Sequence, residues 1–587
     1  MIKKKTGGAF EFAVSKSLPC WVLGMWCLVS VPLFPADRYL ELNLNNQTAR
    51  NRLRSSRSQP LLDILRVIRQ AERDKNIRGM VLNISGFSAD RAVLWELRSA
   101  LESFKAGGKR ICAFISHADL DLYNLASVAD KIVMDEQGSL TFLGYVYGRA
   151  YLQHTLEKLG VGVRELRYLE YKSAAETFTR DSLSEADRRQ YEAYLEDIFS
   201  LTRETLMKAR SWSPGEFDAI LNNEYLYSAK AALDRGLVDR IGREKALIET
   251  LSELEEAGVR SFALYGDAAA SLLGHKNPPY RLKRGGGLFR AAPKIAVVYA
   301  PGQTDLERGM RARTLARIIR ETSEKRSVKA MVVRINSPGG SAEAADYVAE
   351  AIRYAKERIP VVVSMGPVAA SGGYWAAMYA SHITASPYTL TGSIGVIGTW
   401  FYNQGLNEKL GLTIDLIQRG DHADMMTGVI LTRRDLSPQE EARYRTYILD
   451  LYGEFTAKVA AGRNMEPEQV EAAAQGRVYS GLGALHAGLI DSIGGLAGAI
   501  ETARRLAEIP GKKEVIYDEY PRPRFFDKLI NQLAAAVPRE TGAAAFPKGI
   551  FFPGSALAEP EVLADLEYRI SQNGRVMPIL PLAAGGL

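Results

Sequence analysis

Short apolar runs alternate with longer amphipathic stretches along most of this chain, and the same alternation occurs twice. In the second half, Met331 to Ile335 is an apolar run that predicts a strand, Asn336 to Gly340 a turn, and Ser341 to Lys356 a helix with Ala, Val and Ile along one stripe. Val361 to Ser364 predicts the next strand, the turn "GPVAA" follows, and a helix starts near Ala370. Strand, amphipathic helix, strand, helix in this order implies an α/β fold in which a parallel sheet is wrapped by helices. Further upstream "RYLELNLN" alternates as a strand does, and "IAVVYAPG" from Ile295 is its counterpart.

The two halves are copies. A shift of 251 positions lays "MVLNISGFSADRAVLWELRSALESF" from Met80 on "MVVRINSPGGSAEAADYVAEAIRYA" from Met331, and "ADKIVMDEQGSLTFLGYVYG" from Ala129 on "ASHITASPYTLTGSIGVIGT" from Ala380. The later helices match as well, "SEADRRQYEAYLEDIFSLTRETLMKAR" against "SPQEEARYRTYILDLYGEFTAKVAAGR", and so do the segments from Tyr227 and Tyr479, so the duplication runs nearly to Ala503. "HKNPPYRLKRGGGLFRAAP" between the copies has the composition of a linker. The expected domains are therefore residues 37–285 and 286–505, each large enough to bury its own core. Residues 506–587, rich in Pro and paired Phe and without long periodicity, form a tail to which the pattern assigns no elements.

Residues 17–36 carry no charge and follow Lys3, Lys4, Lys5 and Lys16. A helix of about 20 apolar residues crosses a bilayer core, and basic residues on its N-terminal side hold that end in the cytoplasm. This predicts a transmembrane anchor over 18–36, with residues 1–17 cytoplasmic and everything after it facing outward. A cleaved signal peptide is the rival reading, disfavoured by Trp21, Trp26 and the lack of a small-residue cleavage pattern. A formal net charge of +7 over 587 residues, with no dense basic stretch and no interleaved aromatics, gives no reason to expect a nucleic-acid site. Cys20, Cys27 and Cys112 share no spacing and the six histidines are scattered, so neither a disulfide framework, nor a metal site, nor a cofactor is expected.

The copies differ where chemistry is possible. Ser371 stands in "GPVAASGGYW", and the first copy has Leu120 there; Lys172 stands in "YLEYKSAAE", and the second copy offers only Ala423 to Met425. "INSPGG" puts the bare backbone of Gly339 and Gly340 at a helix start, where developing negative charge is stabilised; the first copy has "ISGFSA" and lacks both glycines. A serine at a helix start is ordinarily an N-cap, yet Gly372 and Gly373 directly after it cost helix propensity and let a substrate approach the backbone. A serine nucleophile needs a base. No histidine stands in a triad motif, and His382, placed on the continuation of the Ser371 helix about three turns away, is too distant. A lysine serves when it is neutral, which requires its reference pKa of about 10.4 to fall by several units on burial; Lys172, in an apolar, small-residue setting, fits that need, against the alternative of a solvated surface lysine. Ser393 in "TLTGSIGVIG" is either a turn serine or a hydroxyl that orients the amine.

Taken together, "NSPGG", "GPVAASGGYW", "TGSIGVIG" and "YKSAAETFTRD" resemble the signal peptide peptidase A family in its long, duplicated, membrane-anchored bacterial form, over nearly everything from the anchor to about residue 505. The resemblance implies a ClpP/crotonase-like fold for each repeat. It implies a Ser/Lys dyad with Ser371 as nucleophile, Lys172 as general base and Ser393 as the orienting hydroxyl. The oxyanion donors map to the backbone of Gly340, with Gly339 as neighbour, and of Gly372. It further implies four chains in a dome or bowl at the bacterial inner membrane, their catalytic domains on the periplasmic or outer side, degrading cleaved signal peptides and other hydrophobic peptides. The alternative class is a crotonase-like acyl-CoA enzyme, which uses the same Gly-Gly oxyanion turn but needs neither Ser371 nor an export anchor. A catalytically silent scaffold is disfavoured by the complementary losses in the two halves.

Overall fold

The computed structural model describes residues 38–44, 48–50, 58–255, 262–264, 292–428, 431–511, 513–522 and 576–577. The expected anchor over 18–36 and nearly all of the linker lie outside them. Among the described residues no helix is long and apolar enough to cross a membrane.

Each copy builds one sheet. In the first, strands Phe262–Leu264, Arg38–Asn43, Ile77–Asn83, Arg110–Asp119 and Lys131–Thr141 lie side by side in that order, all parallel, and Leu226–Ser228 closes the edge antiparallel. The second repeats the plan with Ile516–Tyr520, Lys294–Pro301, Val328–Ser337, Val361–Ala370 and Leu390–Gly392, and Val478–Tyr479 is its antiparallel edge. This is the tandem α/β arrangement expected from the alternation. Ile516–Tyr520 corrects the reading of the tail, because it takes the place beside Lys294–Pro301 that Phe262–Leu264 takes beside Arg38–Asn43. A five-residue edge strand is too short to give a periodic signal of its own.

A second correction concerns "GPVAA". It is the far end of a single strand, Val361–Ala370, that changes neighbours along its length. On one side Met331 to Ile335 pairs with Val361 to Met365 and, after a register shift, Ser337 with Ala369; on the other side the neighbour changes from His382–Ala385, opposite Val362 to Met365, to Leu390–Gly392, opposite Val368 to Ala370. Gly366 and Pro367 sit at the jog, which is why the segment has the composition of a turn.

Both faces of the second sheet are covered, as its continuous apolar runs require. Along Lys294–Pro301, Ile295, Val297 and Tyr299 join the core that fills the first repeat, whereas Ala296, Val298 and Ala300 join the core of the second. The halves thus share one apolar interior. A buried ion pair lies within this contact: Arg334 on Val328–Ser337 donates to Glu96 on helix Arg91–Ala106 at 2.5 Å. The guanidinium also donates to Ser364 Oγ (2.8 Å) and the Met365 carbonyl (3.0 Å), and the other Glu96 oxygen accepts the Leu496 N–H at 2.6 Å. Removing one partner of a buried pair strands the other's charge. Glu96→Ala is accordingly expected to destabilise the chain by about 3–5 kcal/mol, measured by denaturant unfolding, with Arg334→Met/Glu96→Leu together costing much less than either single change.

Candidate functional site

Ser371 stands at the junction of strand Val361–Ala370 and helix Gly372–Ala377, with φ 58° and ψ −117°. A non-glycine residue in that region is strained by about 1–3 kcal/mol and is held there only by its surroundings. Here its N–H donates to the Gly392 carbonyl at 2.8 Å and its own carbonyl accepts from the Trp375 N–H at 2.9 Å. The hydroxyl makes no capping hydrogen bond, so the N-cap reading fails. It accepts instead from Lys172 Nζ at 2.7 Å.

That lysine arrives from the other repeat. Strand Gly162–Leu166 leaves its own half and pairs antiparallel with Ile397–Tyr402, from Gly162 opposite Tyr402 to Leu166 opposite Gly398. Arg164 on this strand pairs with Asp435 and Glu441 of the second repeat. A few residues on, Lys172 is buried with 1% exposure and donates to Ser371 Oγ, to Ser393 Oγ (2.9 Å) and to the Ser393 carbonyl (2.9 Å). Ser393, also at positive φ, hangs by its N–H from the Arg477 carbonyl at 2.6 Å. The three side chains singled out in the sequence therefore meet at one point.

The glycines lie beside them. A β-carbon on Gly372 would stand 2.6 Å from Thr304 Oγ1 and 3.3 Å from the Gly340 nitrogen, so the "NSPGG" turn and the start of the Ser371 helix touch backbone to backbone. Gly340 has φ +142° and would press a β-carbon to 2.5 Å from the Thr304 carbonyl, and the Gly339 carbonyl accepts the Thr304 N–H at 2.8 Å. Two contributors escaped the sequence reading. One is Thr304. The other is Gly476, at φ +82°, where a β-carbon would lie 2.7 Å from Lys172 Cβ. With Tyr227 laid on Tyr479, the first copy has Glu224 at the matching position, a mismatch that compares with Ser371/Leu120.

The corresponding place in the first repeat holds an ordinary helix, Leu120–Ala126, with Leu120 buried and Asp119 accepting the Leu122 N–H at 2.8 Å. His382 is not on the Ser371 helix, which ends at Ala377. It opens strand His382–Ala385 and its Nε2 shares a 2.8 Å hydrogen bond with Ser492 Oγ. The second repeat's counterpart of Lys172 lies near Asp424, which Arg434 grips together with Glu440.

A serine held in a strained turn, an amine within hydrogen-bonding distance of it and glycine backbone alongside are the parts of a serine hydrolase that works without histidine. The sequence pattern of peptidase family S49 matches residues 103–258 and again 353–510. The chain is 32% identical over 496 residues to Protease 4 of Salmonella typhi, covering 81% of this chain and 76% of that one. It is 31% identical over 469 residues to the chloroplastic serine protease SPPA of Arabidopsis thaliana, with 77% and 67% covered. Among solved structures it aligns with a membrane-bound stomatin-specific protease in complex with a substrate peptide, at 18% identity and a TM-score of 0.27, over 42% of this chain and 100% of that one. The chain belongs to peptidase family S49, and it is a serine peptidase.

Two expectations follow from this geometry. Gly476→Ala forces a β-carbon against Lys172 and should slow fluorophosphonate labelling of Ser371 by about ten-fold or more, while far-ultraviolet circular dichroism stays unchanged. Hydrogen bonds from Arg434 hold the Asp424 carboxyl down at about 2 and the Glu440 carboxyl well below the usual carboxylate range. Both are depressed in the folded chain, so their contribution is complete above the ordinary carboxylate range near pH 4 and is lost as the pH falls toward about 2. Thermal unfolding followed from pH 6 to pH 2.5 should show a stability loss below pH 4 that is smaller in Arg434→Met, whose carboxylates lack that donor.

Proposed function

We propose that this chain is a membrane-anchored endopeptidase that degrades cleaved signal peptides and other hydrophobic peptides with a Ser/Lys dyad. The observation that carries the reading is the 2.7 Å contact between Lys172 Nζ and Ser371 Oγ, both buried and contributed by different repeats. Neutral Lys172 takes the Ser371 proton as Oγ attacks the scissile carbonyl. The tetrahedral oxyanion is held by the N–H groups of Gly340 and Gly372, with Gly339 shaping the turn. Lys172 returns its proton to the leaving amine, and water then hydrolyses the acyl-enzyme by the same path in reverse. Ser393 accepts from the amine and keeps it aimed at Ser371. Membership of a peptidase family disfavours the crotonase-like alternative.

The uncharged run with lysines before it supports a single-pass anchor over 18–36 in the bacterial inner membrane, with residues 37–285 and 286–505 on the periplasmic or outer side. The family resemblance implies an assembly of four chains, and repeat symmetry supports contact between chains. Within the chain, Gly162–Leu166 pairs with Ile397–Tyr402; their counterparts under the 251-residue shift are residues 413–417 and 146–151, neither of them a strand among the described residues. These segments carry Ile417 at 95% and Val146 at 85% exposure. Tyr347, the counterpart of the buried Glu96, is exposed as well. Head-to-tail contact between chains covers both sets and closes a ring.

Ser371→Ala and Lys172→Ala should each abolish hydrolysis of an apolar peptide while Lys158→Ala, on helix Gln153–Leu159, retains it; near-normal turnover in Lys172→Ala would remove lysine from the mechanism. Mixing Ser371→Ala with Lys172→Ala should restore nothing, because base and nucleophile belong to one chain, and recovery would show that neighbouring chains share a site. Ile417→Asp and Val146→Asp should each reduce the mass measured by light scattering in detergent, whereas an unchanged mass would remove these segments from the contact.

A further inference from the structure

The dyad joins two repeats, so something must fix the base loop relative to the strand that carries Ser393. The Tyr171–Lys172 peptide is held on both sides of Tyr171. The Tyr171 N–H donates to the Gln475 carbonyl at 2.9 Å, and the Tyr171 carbonyl accepts the Ser173 N–H at 2.9 Å, so that Lys172 sits at the centre of a tight turn. A second donor reaches that carbonyl, Gln190 Nε2 on helix Glu185–Arg210, at 3.2 Å. The other end of the same amide crosses to the second repeat: Gln190 Oε1 accepts the Val478 N–H at 3.0 Å. Val478 pairs with Gly392, and the carbonyl just before it, on Arg477, holds the Ser393 N–H. One buried amide thus connects the peptide of the base to the strand that fixes the orienting serine.

Gln190 does not stand alone. Its Nε2 also donates to Asp187 Oδ1 at 2.9 Å, and Asp187 accepts from Ser173 Oγ and pairs with Arg149 at 2.6 Å, both side chains fully buried. Arg149 Nη1 donates to the Ser173 carbonyl at 2.9 Å. Charge-assisted bonds in a water-excluded setting are strong and directional, so Arg149 and Asp187 fix the far side of the Lys172 turn while presenting Gln190 with an acceptor. Such a network serves stability poorly, because burying an ion pair is costly. It serves geometry well.

We propose that Gln190, seated on the Arg149–Asp187 pair, is a positioning residue that sets the distance from Lys172 Nζ to Ser371 and Ser393. This rests on the dyad reading above. Gln190→Met keeps the side-chain length and removes both the hydrogen bond to the Tyr171 carbonyl and the one that Val478 donates across the interface. It should lower kcat and the rate of fluorophosphonate labelling by roughly ten- to a hundred-fold, as a misplaced catalytic group does, with KM and the active-site titre of folded protein unchanged. Gln190→Glu, which keeps the acceptor for Val478, should recover part of the labelling rate. Wild-type kcat and labelling in Gln190→Met would overturn the proposal. So would a loss confined to the titre of folded protein, or failure of both variants to fold, since either outcome assigns Gln190 to stability alone. Ser371→Ala and Lys172→Ala measured in parallel separate the two readings: activity in these removes the dyad, whereas their inactivity beside a fully active Gln190→Met removes only the positioning role.

Discussion

The contact between Lys172 and Ser371 exists only because the two repeats bury one apolar interior between them. Strand Lys294–Pro301 gives alternate side chains to the two cores, so the second sheet packs against the first repeat as well as against its own helices. At the centre of that contact Arg334 and Glu96 are charged, buried and satisfied on both sides. An apolar interface alone tolerates sliding, whereas a buried ion pair held by four hydrogen bonds does not. Their counterparts under the repeat shift are Asn83 and Tyr347, so this lock is made once, at the contact within the chain.

From that registration the site follows by short steps. Strand Gly162–Leu166 reaches across to Ile397–Tyr402, and the chain after it can only run along the edge that carries Ser393. Positive φ at Ser371 and Ser393, with bare backbone at Gly476, lets three loops approach within hydrogen-bonding distance. Strain and close approach of this kind concentrate where a structure must hold reactive groups in place, and the surrounding core bears the cost.

Much of this was legible in the sequence. Two copies of a strand-and-helix alternation defined the architecture, and comparison of the copies at Ser371/Leu120 and Lys172 drew attention to residues that the fold brings together. What escaped detection depends on tertiary contact. The segment "GPVAA" has turn composition but lies in a strand, because Gly366 and Pro367 occupy a register jog that only the neighbouring strands reveal. The edge strand Ile516–Tyr520 is too short for a period. His382 was placed on a helix that ends at Ala377, where the small-residue run continues beyond the helix itself. Gln190 sits on a long polar helix, and the partners that tie it to the Lys172 turn and to the second repeat lie 19 and 288 positions away.

Division of Lys172 and Ser371 between repeats has a physical consequence for when the proposed dyad can act. An isolated lysine in water is charged and an isolated serine is inert, so neither repeat carries a reactive group by itself. Packing the halves together buries Lys172, brings its amine to Ser371 and excludes bulk water in one event, and the same event forms the Arg334–Glu96 lock. Reactivity is therefore tied to completion of the fold rather than to either domain. For a serine peptidase, that coupling keeps a half-folded chain from attacking its own unfolded half.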